Sequence, residues 1–541
     1  MNSKISAQKH QTVIIGGGIA GLATATLLAR EGHQVKLFER GSELGGRAAT
    51  ISRDGFRFEL GPSWYLMPNV FEHFFKLAGT STTEQLDLVT LDPGYRVFAE
   101  PSSVTPNPVP VTVPYGSKKV LKLFDELEPG SAKTLESYLE SAAETTLMAE
   151  QFFLYNPFTK LSWIANAQII LKIPTLIRLL FTPLDRYVAK RFKHPVLRQI
   201  LGYPAVFLGT SPYEAPAMYH LMSQLDLDEG VLYPMGGFTE LVSRLVRLAR
   251  DNGVEIVTEA EVTKINTVKS GKRLRRRARA AGVTWLDSAG TVHQEQADTV
   301  VSAADLHHTE TRLLPTKLQS YPESWWKKQV SGPGAILITL GVEGSLPELP
   351  HHSLFFARDW KKNFAAIFGD SPHIPEPPSI YVCKPSATDP NVAPIGHENL
   401  FILLPVPADP KIGAAGHDDK QLLQVLDTTI DQIGKWANID NFSERIVSRG
   451  VTGPAEFSQK YHSWQGGMLG PAHILKQSAM FRAQNASRRV AGLFYAGATT
   501  SPGVGVPMCL ISAELVLKHI RRDHSPGPLP VHSATPQPKK I

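Results

Sequence analysis

Three glycines and two charged residues carry the most readable chemistry in this chain. The apolar run Thr12-Val13-Ile14-Ile15 leads directly into Gly16-Gly17-Gly18-Ile19-Ala20-Gly21, which has the spacing Gly-x-Gly-x-x-Gly. A second apolar run, Val35-Lys36-Leu37-Phe38, ends on Glu39, and Gly45-Gly46-Arg47 follows. A dinucleotide needs this set. Gly16 permits a tight turn out of the strand, Gly18 lets the backbone approach a pyrophosphate, and Gly21 lets the next helix pack on the sheet. Free N–H groups at that helix start, and the helix dipole, face the phosphates. Glu39 stands about twenty positions after Gly18, where a carboxylate can accept from ribose hydroxyls. Arg47 can place a guanidinium beside the pyrophosphate.

The elements that must position these residues recur far along the chain. Phe56-Arg57-Phe58-Glu59-Leu60 reads as a short strand turning at Gly61-Pro62-Ser63. Residues 101–114 are rich in Pro, Val and Thr and read as an extended edge segment. Residues 131–200 read as mainly helical. A turn at Tyr233-Pro234-Met235-Gly236-Gly237 opens a helix over Thr239–Arg250, and strands are expected over Val254–Val257, Gly282–Leu286, Thr299–Ala303 and Leu493–Gly497. This pattern predicts a discontinuous cofactor domain with other material inserted: cofactor parts at 9–66, 229–310 and 485–523, a substrate and lid region at 67–228, a substrate domain at 311–484, and a disordered tail at 524–541.

The whole chain sets bounds. Its 541 residues, 42% of them hydrophobic and 20% charged, suffice for two or more domains and a substantial core. A net charge of +6 fits anionic lipid as well as nucleic acid. Cys383 and Cys509 are the only cysteines, so no disulfide framework is expected and a reducing compartment is the default. No Cys/His spacing resembles a metal site. Val13–Ala29 could pass for a signal-peptide core, but its glycine spacing and the matching second strand argue against that. No apolar run is long enough for a transmembrane span.

The motifs together resemble the bacterial-type phytoene desaturases, carotenoid desaturases of the flavin amine-oxidase-like superfamily. Glu39 through Arg47 matches the extended FAD signature, and Tyr233–Gly237 the turn before a second FAD-binding segment. Val300-Val301-Ser302-Ala303-Ala304-Asp305 matches an Asn-Ala-Asp element, although Ala303 stands where Asn is usual. His351–Phe356, Pro378–Tyr381 and Thr388-Asp389-Pro390 match further. The most specific match is Gly497-Ala498-Thr499-Thr500-Ser501-Pro502-Gly503-Val504-Gly505-Val506-Pro507, with Ser501 in place of a common His or Gln. The resemblance implies an α/β fold: a Rossmann-like FAD-binding domain of glutathione-reductase type, an inserted substrate-binding α+β region, and a helical membrane-facing lid. It implies a cofactor cleft formed by Gly16, Gly18, Gly21, Glu39, Arg40, Gly46, Arg47, Gly61, Pro62, Ser63, Val262, Gly497, Val506 and Pro507. A helix starting at Val506, with Pro507 in its first turn, would aim its positive end at a flavin ring that gains negative charge on reduction.

The implied reaction is stepwise desaturation of phytoene to lycopene. FAD takes a hydride and the cation left behind spreads over neighbouring double bonds, while a weak base or water takes a proton. No general base can be named. Asp305, His307 and His308 are each better read as capping or structural residues. With a single complete dinucleotide fingerprint, reoxidation by a quinone or oxygen is expected rather than by a nicotinamide. Residues 161–193 alternate large apolar side chains with Lys172, Arg178, Arg186, Lys190, Arg191 and Lys193. Pro174 and Pro183 should divide them into short helices. They read as an interfacial lid of a cytoplasmic, peripheral membrane protein. The basic run Lys272–Arg279 has no interleaved aromatics and reads as a solvated hairpin, so no nucleic acid is expected. Rival readings are a hydroxy-carotenoid or shorter-chain desaturase, a non-enzymatic prenyl-lipid binding protein and an amine oxidase.

Overall fold

The computed structural model describes residues 10–160, 166–270 and 277–531. A five-stranded sheet organises one half. Its spatial order is Leu493–Tyr495, Thr299–Ser302, Gln11–Ile15, Gln34–Phe38 and Glu255–Val257, and every pair is parallel. Paired strands are thus up to almost three hundred residues apart in the chain, and the sheet gathers segments from both of its ends. Such strands lie inside the molecule, and Thr299–Ser302 is buried along its whole length. Ile19–Arg30 is apolar around most of its circumference because it is sandwiched: the helices Gly237–Asp251 and Val506–Arg521 both pack on it.

A seven-stranded mixed sheet forms the second half. In order it comprises Ile446–Thr452, Gly334–Glu343, His397–Val406, Ile380–Cys383, His352–Phe356, Tyr95–Ala99 and Val111–Val113. The Pro-rich 101–114 segment therefore contributes the edge strand Val111–Val113. A smaller sheet pairs Glu261–Ser270, Arg277–Leu286 and Val292–Gln296 antiparallel, with Val490–Ala491 alongside. Most of the basic run falls outside the described residues; Arg279 is on a strand, 3.8 Å from Asp298.

Two expectations need correction. Pro174 does not divide the helical segment, since Ala167–Phe181 is one helix with Pro174 inside it. Pro174 and Ile170, one turn earlier, are both exposed, so the carbonyl that the ring leaves unpaired can meet solvent. Pro183 does end the segment, as N-cap of Leu184–Ala189. Nor is the tail disordered from 524. Leu529 is buried, and its N–H donates to Glu514 at 2.6 Å. The buried Lys518 ammonium donates to the carbonyls of Tyr155 at 2.9 Å, Ser525 at 3.0 Å and Gly527. An ammonium needs three acceptors once out of water, and the folded-back tail supplies two of them. Residues 532–541 lie outside the described residues.

Candidate functional site

One cavity of about 770 Å³ runs from the N-terminal glycine turn to the inner face of the seven-stranded sheet. Gly16 turns at φ +97°, and its N–H donates to the Phe38 carbonyl at 2.8 Å, joining the two strands behind the turn. A Cβ at Gly18 would meet no protein atom nearer than 3.9 Å, because it would point into the cleft. Gly46, at φ +57°, faces it: a Cβ there would lie 3.3 Å from the Gly18 Cα. Two glycine turns thus leave a side-chain-free trough at a helix start. A pyrophosphate fits such a trough. Gly21 does not line it; it packs on the Gly16 carbonyl and sets the helix against the strand.

Glu39 is aimed by its own surroundings. One carboxylate oxygen accepts the Gly17 N–H at 2.7 Å and the other the Gly41 N–H at 2.8 Å, and the residue lines the cavity. Arg40 also lines it, but its guanidinium is tied to His462 Nε2 at 2.9 Å and to the carbonyls of Gln459 and Lys460. Arg47 donates to Ser463 at 2.9 Å and stands 3.7 Å from Asp305; its buried Nε has no protein partner. Gly61, Pro62, Ser63 and Val262 form further wall. Gly61 has no room for a side chain, since a Cβ would lie 2.0 Å from the Arg47 carbonyl. Opposite, Gly497 precedes a loop that ends at Gly505, φ +117°, and the helix Val506–Arg521 begins with Val506 and Pro507 on the cavity. Its first turn carries no acidic side chain to cancel the dipole. The trough, the oriented carboxylate and the helix start fit FAD.

Of the three candidate proton acceptors, Asp305 and His308 line the cavity and His307 does not, and all three are already engaged by protein groups. Asp305 caps the helix Leu306–Arg312, accepting the N–H groups of His307 at 2.9 Å and His308 at 3.4 Å. Burial raises its pKa, against the pull of Arg47. His307 reaches Glu323 at 2.9 Å. His308 lies flat on His462, ring centres 3.9 Å apart, and burial together with His462 and Arg40 holds its pKa down to about 3.

The remainder of the cavity is hydrocarbon and ring. Trp64, next to Ser63, stacks on His352 at 4.8 Å and meets Phe207 at 5.4 Å and Tyr203 at 6.0 Å. Phe364 and Ile367 come from the helix Trp360–Phe368, and Met222 from the helix Leu221–Leu227. A redox ring in the trough would therefore border a dry apolar chamber. His351, His352 and Cys383 cluster behind this wall, but the Tyr381 hydroxyl already bridges His352 Nδ1 at 2.9 Å and Ser63 at 2.6 Å.

Two residues of consequence have no sequence signal. Arg482 is buried and donates only to carbonyls: Thr500 at 3.0 Å, Pro471 at 3.2 Å, Gln477 at 3.3 Å and Ala498 at 2.7 Å. Asn485 donates to the carbonyls of Tyr495 at 3.1 Å and Ser501 at 2.8 Å. Both hold the loop between Gly497 and Pro507.

Comparison with known proteins agrees with this geometry. The family described as flavin containing amine oxidoreductase matches residues 19–516. The carotenoid 3,4-desaturase of Haloarcula japonica is 38% identical over 93% of this chain and 97% of its own length. The phytoene desaturase of Phycomyces blakesleeanus is 30% identical over 94% of this chain and 84% of its own. Among solved structures, an oxidoreductase from Methanosarcina mazei superposes with a TM-score of 0.61 at 17% identity, covering 94% of this chain and all of its own; that likeness concerns the fold.

Proposed function

The chain belongs to the flavin containing amine oxidoreductases, and within them to the FAD-dependent carotenoid desaturases; from this premise we propose that it dehydrogenates an acyclic carotenoid at a membrane surface. The observation that carries the reading is the single cavity that joins a dinucleotide trough to a hydrocarbon chamber. Bound FAD supplies a two-electron acceptor for hydride. Gly18, Gly46 and Glu39 hold its nucleotide, while the start of the Val506–Arg521 helix favours negative charge where electrons arrive. Trp64, Phe207 and Phe364 exclude water and orient the polyene. The 38% identity to a 3,4-desaturase favours dehydrogenation of an already conjugated carotenoid at that position. Phytoene, taken stepwise to lycopene, is the second reading, favoured by the fungal relative. Anaerobic addition of each carotenoid in liposomes to FAD-loaded protein tests both. The true substrate bleaches the flavin and shifts the polyene absorbance to the red; failure of both to bleach it removes the reading. Quinone or oxygen is the proposed final acceptor.

Access from the bilayer rests on the helix Ala167–Phe181. Its inner side sets Ile169 and Leu176 against Phe152, beside a stretch whose Ala149, Phe153 and Leu154 line the cavity. Its outer side exposes Ile170, Leu171, Ile177 and Phe181, with Leu171 80% and Phe181 72% open to solvent. A row of large apolar side chains kept outside suits insertion among lipid headgroups, and exposed Arg178, Arg186 and Lys190 suit anionic lipid at a cytoplasmic face. Among the described residues no helix is long and apolar enough to cross a membrane. Replacing Leu171, Ile177 and Phe181 together by serine should reduce liposome co-sedimentation about tenfold or more, since each side chain contributes roughly 1 kcal/mol or more when it leaves water. Flavin content should be unchanged. Undiminished sedimentation rejects the lid. Leu161, Trp163 and Ile164 lie outside the described residues.

A further inference from the structure

The apolar end of the cavity has an acid built into its wall. The helix Leu221–Leu227 turns Leu221, Met222 and Leu225 to the cavity and sets Asp226 behind them. The Asp226 side chain is buried. Its Oδ2 accepts the Tyr203 hydroxyl at 2.7 Å and the Tyr95 hydroxyl at 3.2 Å, and its Oδ1 is buried without any hydrogen-bond partner. The titratable groups around it are phenols, Tyr95, Tyr203 and Tyr138; among the described residues no Lys, Arg or His pairs with it. Buried carboxylates are ordinarily matched by a cation or a full set of donors, because removing the charge from water is expensive. Here one oxygen has neither a cation nor a side-chain donor.

The position of this imbalance is specific. The Tyr203 ring lines the cavity and meets Phe207 at 5.5 Å and Trp64 at 6.0 Å, and Trp64 follows Ser63 of the cofactor cleft. The acid therefore stands one ring behind the junction of trough and chamber. The missing partner is a positive charge, and carotenoid desaturation creates one transiently. One C–H bond breaks with both electrons leaving as hydride to the flavin cofactor, so that carbon becomes cationic. A C–H bond on the neighbouring carbon then breaks, its electrons form the new double bond, and its proton passes to water at the polar, cofactor end of the cavity, where Arg47 and Asp305 line the wall.

We propose that Asp226, acting through the ring of Tyr203, is the counter-ion that stabilises the carbocation formed on the substrate. This rests on the desaturation reading above. The substrate is a neutral hydrocarbon, so the carboxylate gains nothing from the ground state and acts only as charge develops; such an interaction raises turnover without tightening binding. A phenol that donates to a carboxylate also offers its electron-rich face to a cation. Burial, only partly offset by the two phenol hydrogen bonds and the backbone N–H groups of Asp226 and Leu227, lifts the Asp226 carboxyl to about 7, so the charge is present above that pH and lost below it.

The test uses the full-length FAD-loaded chain, its Asp226→Asn and Tyr203→Phe variants, and two probes: a polyene trimethylammonium and its uncharged tert-butyl isostere. Wild type should prefer the ammonium by about 30-fold, as a mimic of the charged intermediate, and Asp226→Asn should abolish the preference. Anaerobic flavin bleaching should slow about 100-fold in Asp226→Asn at an unchanged half-saturating carotenoid concentration. The wild-type rise in bleaching rate as pH passes upward through about 7 should vanish with it. An Asn variant that keeps the ammonium preference and bleaches at nearly the wild-type rate overturns the proposal. Should that variant lose FAD, Tyr203→Phe and pH decide: removing the shorter hydrogen bond lifts the Asp226 carboxyl further, so the ammonium preference should disappear at a higher pH than in wild type, and a preference independent of pH in both proteins overturns the proposal equally. If no carotenoid bleaches the wild type, the desaturation reading fails, while loss of ammonium preference in Asp226→Asn still reports the counter-ion.

Discussion

Protein carrying Gly21→Val should purify without flavin and unfold early in denaturant. A Cβ at Gly21 would lie 2.0 Å from the Gly16 carbonyl oxygen and 3.1 Å from its carbon. The obstacle is backbone, not a flexible side chain, so the helix Ile19–Arg30 would have to lift away from the strand end. That movement opens the interfaces of this helix with Gly237–Asp251 and Val506–Arg521, and it withdraws the helix start from the phosphates. Overpacking of this kind destabilises by about 1–3 kcal/mol, and a rigid clash sits at the upper end or beyond. Gly32→Ala is the control. It also substitutes a glycine at a helix end, yet nothing stands within 4 Å of the added carbon. Only its φ of +88° opposes alanine, so this variant should lose about 1 kcal/mol and keep its flavin. Flavin absorbance per protein after gel filtration separates the two, and a fully loaded Gly21→Val protein would refute the packing argument.

Arg482→Met should be nearly as damaging although it touches neither glycine turn. The guanidinium replaces water for four carbonyls, two of which, Ala498 and Thr500, belong to the loop that leads into the Val506–Arg521 helix. Burial lowers the Arg482 pKa to about 10, so the cation persists at neutral pH, held by carbonyl dipoles alone. Methionine preserves bulk but leaves those oxygens unpaired in the interior. Each costs about 1–3 kcal/mol, so a loss of about 4 kcal/mol or more is expected. FAD affinity should fall about 100-fold or more as the loop loses its shape. Arg482→Lys should be intermediate, because an ammonium has three donors where the planar guanidinium has five. Denaturant midpoints and flavin titration of the apoprotein measure both effects, and a Met variant with wild-type values would show that the carbonyls find other partners.

What could be read from the sequence was chemistry enforced locally. Gly16, Gly18 and Gly46 must be glycine because the turn conformation or the open face of the trough demands it there, and Glu39 directly follows its strand, at a fixed distance from them. The central strands of the parallel sheet, Gln11–Ile15 and Thr299–Ser302, were legible as short apolar runs, since both of their faces are covered. Residues whose role depends on neighbours distant in sequence were opaque. Arg482 is one arginine among many until the fold brings four carbonyls around it, and Asp226 sits in a mixed stretch, Gln224-Leu225-Asp226-Leu227-Asp228, with nothing to distinguish the buried acid from the exposed one. The tail misled for the same reason: its Pro, Ser and Lys content suggests disorder, but Lys518 and Glu514 tether it as far as Leu529. Pro174 misled because a ring on the exposed side of a helix leaves its orphan carbonyl to solvent.

The interleaved order of the parallel sheet has a consequence for biosynthesis. Of the five strands Gln11–Ile15 is synthesised first, but one of its flanking strands, Thr299–Ser302, follows nearly three hundred residues later, and the strand beyond that, Leu493–Tyr495, comes last of the five. At translation speeds of roughly 5–20 residues per second, the nascent glycine turn waits on the order of half a minute or longer for the sheet to be completed. The apolar strands must be shielded throughout that interval, and flavin capture becomes an act of the finished polypeptide, so messages truncated even shortly before codon 493 should yield only colourless, chaperone-bound product.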